Sequence, residues 1–205
     1  VEEIMKLDDE GAAEEDLFSD EYLAKIDKIK LPNTKIKLLQ KLLAKAIGEF
    51  RKTNKAKAVD FSKKMESLVS RYNERKGDKF RGEVLDDFTE EIIDLFNALR
   101  KERESFKDMG IDFEEKAFYD ILKSLAKKYD FTYPEEKLIP LSKEVKEVVD
   151  DKAKYTDWSH RDDIKAELKA DLIVLLAKYN YPPVDRDEVY QEIFEQAENY
   201  KKNSV

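Results

Sequence analysis

An all-α fold, a multi-helix bundle of two packed helical lobes, is what this sequence predicts, and three observations carry that reading. Charged residues make up 42% of the 205 residues, while Gly and Pro number only 5 each. Abundant Lys, Glu, Leu and Ala lose little rotamer freedom in a helix, so this composition favours helices over sheets. Apolar residues recur at helical spacing along the chain, and no stretch alternates with period two.

The elements follow in order. Residues 1–16 are acidic, with Gly11-Ala12-Ala13 inside them, and read as a linker remnant. Ser19-Asp20-Glu21 can cap a short helix carrying Tyr22, Leu23 and Ile26, which Leu31-Pro32 stops. Asn33 caps the next helix, with Ile36, Leu39, Leu43, Ala46, Ile47 and Phe50 on one side. Asn54 caps a third, whose stripe is Ala58, Phe61, Met65, Leu68, Val69 and Tyr72, and Gly77 is placed to end it. A fourth runs from about Glu83 to Lys107 through Phe88, Ile92, Leu95, Phe96, Leu99 and Phe106, and Met109-Gly110 closes it.

Asp112 and Glu115 have the spacing of a capping box for a helix with Ala117, Phe118, Ile121, Leu122, Leu125 and Tyr129. Pro134 suits the first turn of the next, which carries Leu138, Leu141, Val145, Val148 and Val149; Pro140 inside it costs a hydrogen bond and splits or bends it. Ser159, with Asp162 three later, caps a helix with Ile164, Leu168, Leu172, Leu175, Leu176 and Tyr179, ended by Tyr181-Pro182-Pro183. A final helix carries Val189, Ile193, Ala197 and Tyr200. Short connections imply mostly antiparallel neighbours. The expected organisation is the linker remnant 1–16, a basic lobe 17–110 and a C-terminal lobe 111–205.

Composition bounds function. Without Cys there is no disulfide, thiolate nucleophile or Cys-based zinc site. The same absence of Cys fits a reducing cytoplasm, the expected setting, and no apolar run approaches the ~20 residues of a membrane span, so no membrane partner is expected. The start at Val1 rather than Met reads as a piece of a longer protein. Net charge is −8, but residues 21–81 hold eighteen Lys and Arg against seven Asp and Glu, a net of +11. Charge asymmetry of this kind points to a polyanionic partner.

Catalytic motifs are weak. Gly77 and Gly82 have the glycine spacing of a phosphate loop, but Glu83 stands where Lys is needed and no strand precedes it. The triplets Glu114-Glu115-Lys116, Glu135-Glu136-Lys137 and Glu144-Val145-Lys146 match a nuclease Glu-x-Lys only by type, because such triplets sit on strands and these read as solvated helix. His160, alone of its kind, cannot build the usual zinc set and is expected in a first helical turn, with a partner contact as the sharper reading. Trp158 reads either as a helix staple or as an aromatic anchor at an interface. No catalytic, cofactor or metal residue is assigned. Lys57, Lys64, Arg71 and Arg75 share one side of the third helix, and Lys37, Lys41, Lys45 and Lys52 form a row on the second. These two basic faces are either solvated helix surface or a contact to the phosphate backbone, which would be indifferent to sequence.

A resemblance joins these pieces. Phe118-Tyr119-Asp120-Ile121-Leu122, Leu138 to Val149, Asp157-Trp158 with Arg161, the helix Leu168 to Tyr179, Tyr181-Pro182-Pro183 and Glu195-Gln196-Ala197-Glu198 occur in an order that resembles the C-terminal helical region of type I restriction enzyme R subunits. Phe18-Ser19-Asp20-Glu21-Tyr22, Asn33-Thr34-Lys35-Ile36 and Leu38-Leu39 look like the segment before it. The resemblance implies a parent with a nuclease domain, two helicase-like ATPase domains and this helical region, an ATP-dependent deoxyribonuclease using ATP and Mg. It implies that this region helps attach the subunit to the methyltransferase core, with the methyltransferase and specificity subunits as partners. Trp158, His160 and Arg161 are then interface candidates. The competing expectation is a stand-alone helical protein–protein adaptor with no role on DNA.

Overall fold

The computed structural model describes residues 32–75, 81–152 and 160–203, with Asp20, Ala24 and Lys28 singly. The described residues are helical with no strand: α1 Pro32–Thr53, α2 Lys55–Arg75, α3 Arg81–Glu104, α4 Phe113–Lys128, α5 Glu135–Lys152, α6 Asp162–Lys178 and α7 Asp187–Asn203, with a 3-10 turn at Lys107–Met109. The all-α prediction holds. The acidic linker, Gly77, and Tyr22, Leu23 and Ile26 of the short first helix lie outside the described residues.

One helix start and one helix interior depart from expectation for physical reasons. α1 begins at Pro32 and takes in Asn33, which was expected to cap it. Proline suits a first helical position, since the N–H it lacks would have no intrahelical partner there. Of the split or bend expected at Pro140, the split is absent: α5 runs unbroken through it over 18 residues. Leu138, Leu141, Val145 and Val149 are buried on the same helix, and this packing outweighs the lost bond.

The chain forms two compact units. The first comprises residues 1–48 and 61–101. Within it Ile36, Leu39, Leu43 and Ile47 of α1, Leu68 of α2, and Phe88, Ile92, Phe96 and Leu99 of α3 are buried. Leu38 and Leu42 are buried as well, so the apolar arc of α1 is wider than the spacing of its strongest positions. Tyr72 stacks on Phe88 with ring centroids 4.2 Å apart.

The second unit comprises residues 49–60 and 102–205. Here α4 packs on α5 and α7, and α5 packs on α6. Phe118, Leu122, Leu125, Leu141, Val145, Leu172, Leu176, Val189 and Ile193 form the centre of one apolar core. Gly110 closes the 3-10 turn in the left-handed region, φ 67°, where glycine has no Cβ to clash. The capping box at α4 is present: Asp112 accepts from the Glu114 and Glu115 amides, and Glu115 accepts from the Asp112 amide. Lys146 reaches from α5 to this cap, 3.3 Å from Glu114 and 3.8 Å from Asp112. Tyr181 is buried after α6, its hydroxyl donating to the Leu122 carbonyl at 2.7 Å, and Phe131 and Tyr133 meet its ring edge-on.

Candidate functional site

Helix α1 presents Lys37, Lys41 and Lys45 at four-residue spacing, all exposed. Leu39, Leu43 and Ile47 are buried on the same helix, so amphipathicity alone puts the three ammonium groups outward. Lys52 is also exposed and pairs with Glu49 at 2.7 Å. On α2, Lys64 is exposed over the Phe61 ring, 5.1 Å from its centroid. Arg71 is exposed and bonds Glu91 of α3 at 2.6 Å. Arg75 is the last residue of α2, and its side chain lies outside the described residues. Lys57 is half-buried in an ion pair with Glu102 at 3.3 Å. Lys37, Lys41, Lys45, Lys64 and Arg71 belong to the first unit, whereas Lys52 and Lys57 belong to the second.

The interface candidates are also dispersed. Trp158 and Ser159 lie outside the described residues. His160 is exposed and precedes α6, which starts at Asp162, so it is not in the first helical turn as expected. The N-cap position falls to Arg161, which has no side-chain acceptor; its guanidinium bonds Asp163 at 2.5 Å instead. Asp162 and Asp163 in the first turn complement the helix dipole in place of a cap.

Sequence reasoning missed a buried polar cluster in the second unit. Lys116 and Asp120 stand one turn apart on α4, both buried, with the ammonium 2.7 and 2.8 Å from the two carboxylate oxygens. Lys116 also donates to Glu102 at 2.9 Å, and Lys57 pairs with that same oxygen. Asn54 completes the cluster. Its amide nitrogen donates to Asp120 at 2.7 Å, while its side-chain oxygen accepts from the Lys57 amide at 3.1 Å and so caps α2 as expected. From α7, Gln196 accepts from the Lys55 amide at 3.2 Å and donates to the Thr53 carbonyl at 2.8 Å. The interruption between α1 and α2 is thus held from both sides by side chains.

The electrostatics fit a structural role. Burial works against charge on Lys116, yet the Asp120 and Glu102 carboxylates beside it hold its amine above the ordinary lysine range. Burial pushes Asp120 up against the pull of Lys116. Glu102 is held low by Lys116 and Lys57 despite its burial. Lys116 and Asp120 each precede an apolar residue, Ala117 and Ile121, but fall outside the apolar arc, where local pattern reads them as surface.

A groove of about 520 Å³ lies between the start of α2, α4 and α7. Its cations Lys55, Lys127 and Lys128 are matched by Asp60, Glu192 and Glu195, with Lys128 bonded to Glu192 at 2.6 Å and Lys55 to Glu195 at 3.3 Å. Such a balance gives no preference for an anion. Among the described residues no three His, Asp or Glu side chains converge as a metal ion would require, and none of their helices is long and apolar enough to cross a membrane. The three Glu-x-Lys triplets all lie on α4 or α5.

Fold and surface define an all-helical module with a polar clamp in one unit and one exposed row of Lys in the other. The chain belongs to the family described as "Type I restriction enzyme HindI endonuclease subunit-like, C-terminal", which matches residues 1–203. It is similar to the putative type I restriction enzyme MjaIXP endonuclease subunit of Methanocaldococcus jannaschii, 24% identical over 190 residues. It is also similar to the type I restriction enzyme HindI endonuclease subunit of Haemophilus influenzae, 25% identical over 182 residues. Each match covers 89% of this chain but only 17% and 16% of the relative's length. No solved structure matches.

Proposed function

We propose that this chain is the helical assembly region through which a type I restriction endonuclease subunit docks onto its methyltransferase core. The observation that carries the reading is the match of residues 1–203 to the C-terminal region of such subunits. ATP and Mg, on this reading, serve nuclease and motor parts of the parent that this region attaches. The exposed Lys37, Lys41, Lys45 row, with Lys64 and Arg71, supports a second task in the same assembly, holding the phosphate backbone of DNA without reading its sequence.

The test is a pull-down of the chain with the methyltransferase and specificity subunits of the same enzyme, with and without DNA. Capture without DNA supports docking. Capture only with DNA moves the weight to the basic rows, and no capture in either condition overturns the docking role. For the DNA task, ~3–5 neutralised phosphates predict a log–log salt slope of about −3 to −4 on duplex. Replacing Lys37, Lys41, Lys45, Lys64 and Arg71 by Ala should flatten that slope. An unchanged slope sinks the DNA contact.

A further inference from the structure

Helix α6 has two apolar sides. Ile164, Leu168, Leu172, Leu175 and Leu176 are buried in the core. Ala166, Ala170, Ile173, Val174 and Ala177 are exposed, at steps of four, three, one and three, and therefore share one outer face. Ile173 and Val174, 45% and 70% exposed, are the exposed large hydrophobics among the described residues. A surface helix normally turns charge outward, so an apolar outer face signals a partner. The stripe runs about 17 Å, three helical turns. Its small residues at both ends let another helix come close, while Ile173 and Val174 supply the bulk that fills the partner's grooves.

The charge beside the stripe selects the partner. Glu167 and Asp171, both exposed, lie on its flank, Asp171 one turn before Val174. Beyond Asp171 opens a groove of about 600 Å³ between α5 and α6, floored by Pro140 and Val148. Among the described residues Glu144, Glu147, Asp151 and Asp171 line it together with Lys143, and Lys178 is bonded to Glu144 at 3.1 Å. The flank that faces α5 is therefore acidic, while Lys165 and Lys169 stand on the opposite edge, and an incoming element with basic residues on the α5 side matches it.

We propose that the outer face of α6 docks an amphipathic helix of a partner protein, its apolar stripe on Ile173 and Val174 and its Lys or Arg side chains along the acidic groove. The inference rests on the docking reading above and gives that contact a place and a chemistry.

The full chain is titrated with two synthetic amphipathic helices of about five turns. Both carry the same Leu–Ile–Ala stripe, one flanked by Lys and Arg and the other by Glu. The basic helix should bind about tenfold more tightly than the acidic one, with methyl NMR shifts centred on Ile173 and Val174. Val174→Asp should abolish binding. Glu147→Lys with Asp171→Lys should remove the preference for the basic helix. Both variants should melt with the wild type, because the positions are exposed. Equal binding of the two helices, binding of neither, or shifts centred elsewhere overturns the proposal. So does a wild-type dimer that Val174→Asp dissociates, since the occupant would then be a second copy. The same variants are carried into the subunit pull-down. If the basic helix binds but the subunits do not, the docking reading fails and this surface stands. If the subunits capture wild type and Val174→Asp alike, docking stands and its placement on α6 is overturned.

Discussion

Asn54 serves two elements with one side chain: its oxygen caps α2 and its nitrogen holds Asp120. Asn54→Ala therefore loses a cap and a bond to a buried carboxylate, and should cost about 2–4 kcal/mol in urea unfolding. Asn54→Asp separates the two roles, since it keeps the cap acceptor but sets a second carboxylate against Asp120. It should be no more stable than Asn54→Ala; wild-type stability would contradict the clamp. Lys116→Met leaves Asp120 buried beside Glu102 and should cost about 3–5 kcal/mol. These roles were half-legible. The cap reads from Asn54 and the spacing around it, but its second bond spans 66 residues, and local pattern carries no such information. Lys116 and Asp120 have the spacing of any surface ion pair, and only the three-dimensional packing shows them buried.

At the scale of the element, helix ends were the most legible feature where backbone chemistry is local. The Asp112–Glu115 box and Gly110 stand where their residue types place them. Pro140 does not split α5, because the penalty of an internal proline is local while its compensation, the burial of Leu138, Leu141 and Val145, is tertiary. The Lys row of α1 faced no such conflict, since the exposure of Lys37, Lys41 and Lys45 follows from amphipathicity alone. Two glycines give opposite predictions. Gly48 lies inside α1, and an added Cβ there meets nothing within 4 Å, so Gly48→Ala should stabilise by about 0.5–1 kcal/mol. Gly110 has φ +67°, and Gly110→Ala should destabilise by about 1–2 kcal/mol. Thermal melts of both variants check the pair; a shift in the same direction for both would refute the backbone argument.

Across the whole molecule, ion pairs and tyrosine hydrogen bonds set the response to pH. Tyr179 is pushed up to about 12 from 10.0, chiefly by its hydrogen bond to Glu144, and Lys123 to about 12 from 10.5, chiefly by Glu135. In both cases the folded state holds the proton more tightly. Their contribution is present below the unfolded values and is lost as pH rises from about 10 through about 12. Glu135 and Glu144 are held below 4.5 by Lys123 and Tyr179, so their contribution is present above that pH and fades in acid. Asp120, raised by burial, acts with the opposite sign and blunts the acid limb. Melting temperature against pH should therefore show a plateau with two falling limbs. Tyr179→Phe should shrink the alkaline fall; an identical fall would show that this bond contributes nothing.

The second unit is discontinuous, residues 49–60 and 102–205, and this bears on how the chain is made. Gln196 holds the Thr53 carbonyl and the Lys55 amide, and Asn199 holds the Arg51 carbonyl at 2.9 Å. A ribosome delivers the Arg51–Lys55 corner roughly 140 residues before the side chains that fasten it. At about 5–20 residues per second, that corner waits on the order of ten seconds for its last partners. During that interval the first unit's segments, 1–48 and 61–101, have already emerged on both sides of it, free to associate before α7 arrives. Vectorial synthesis thus separates the two units in time, and the corner is secured only when α7 leaves the exit tunnel.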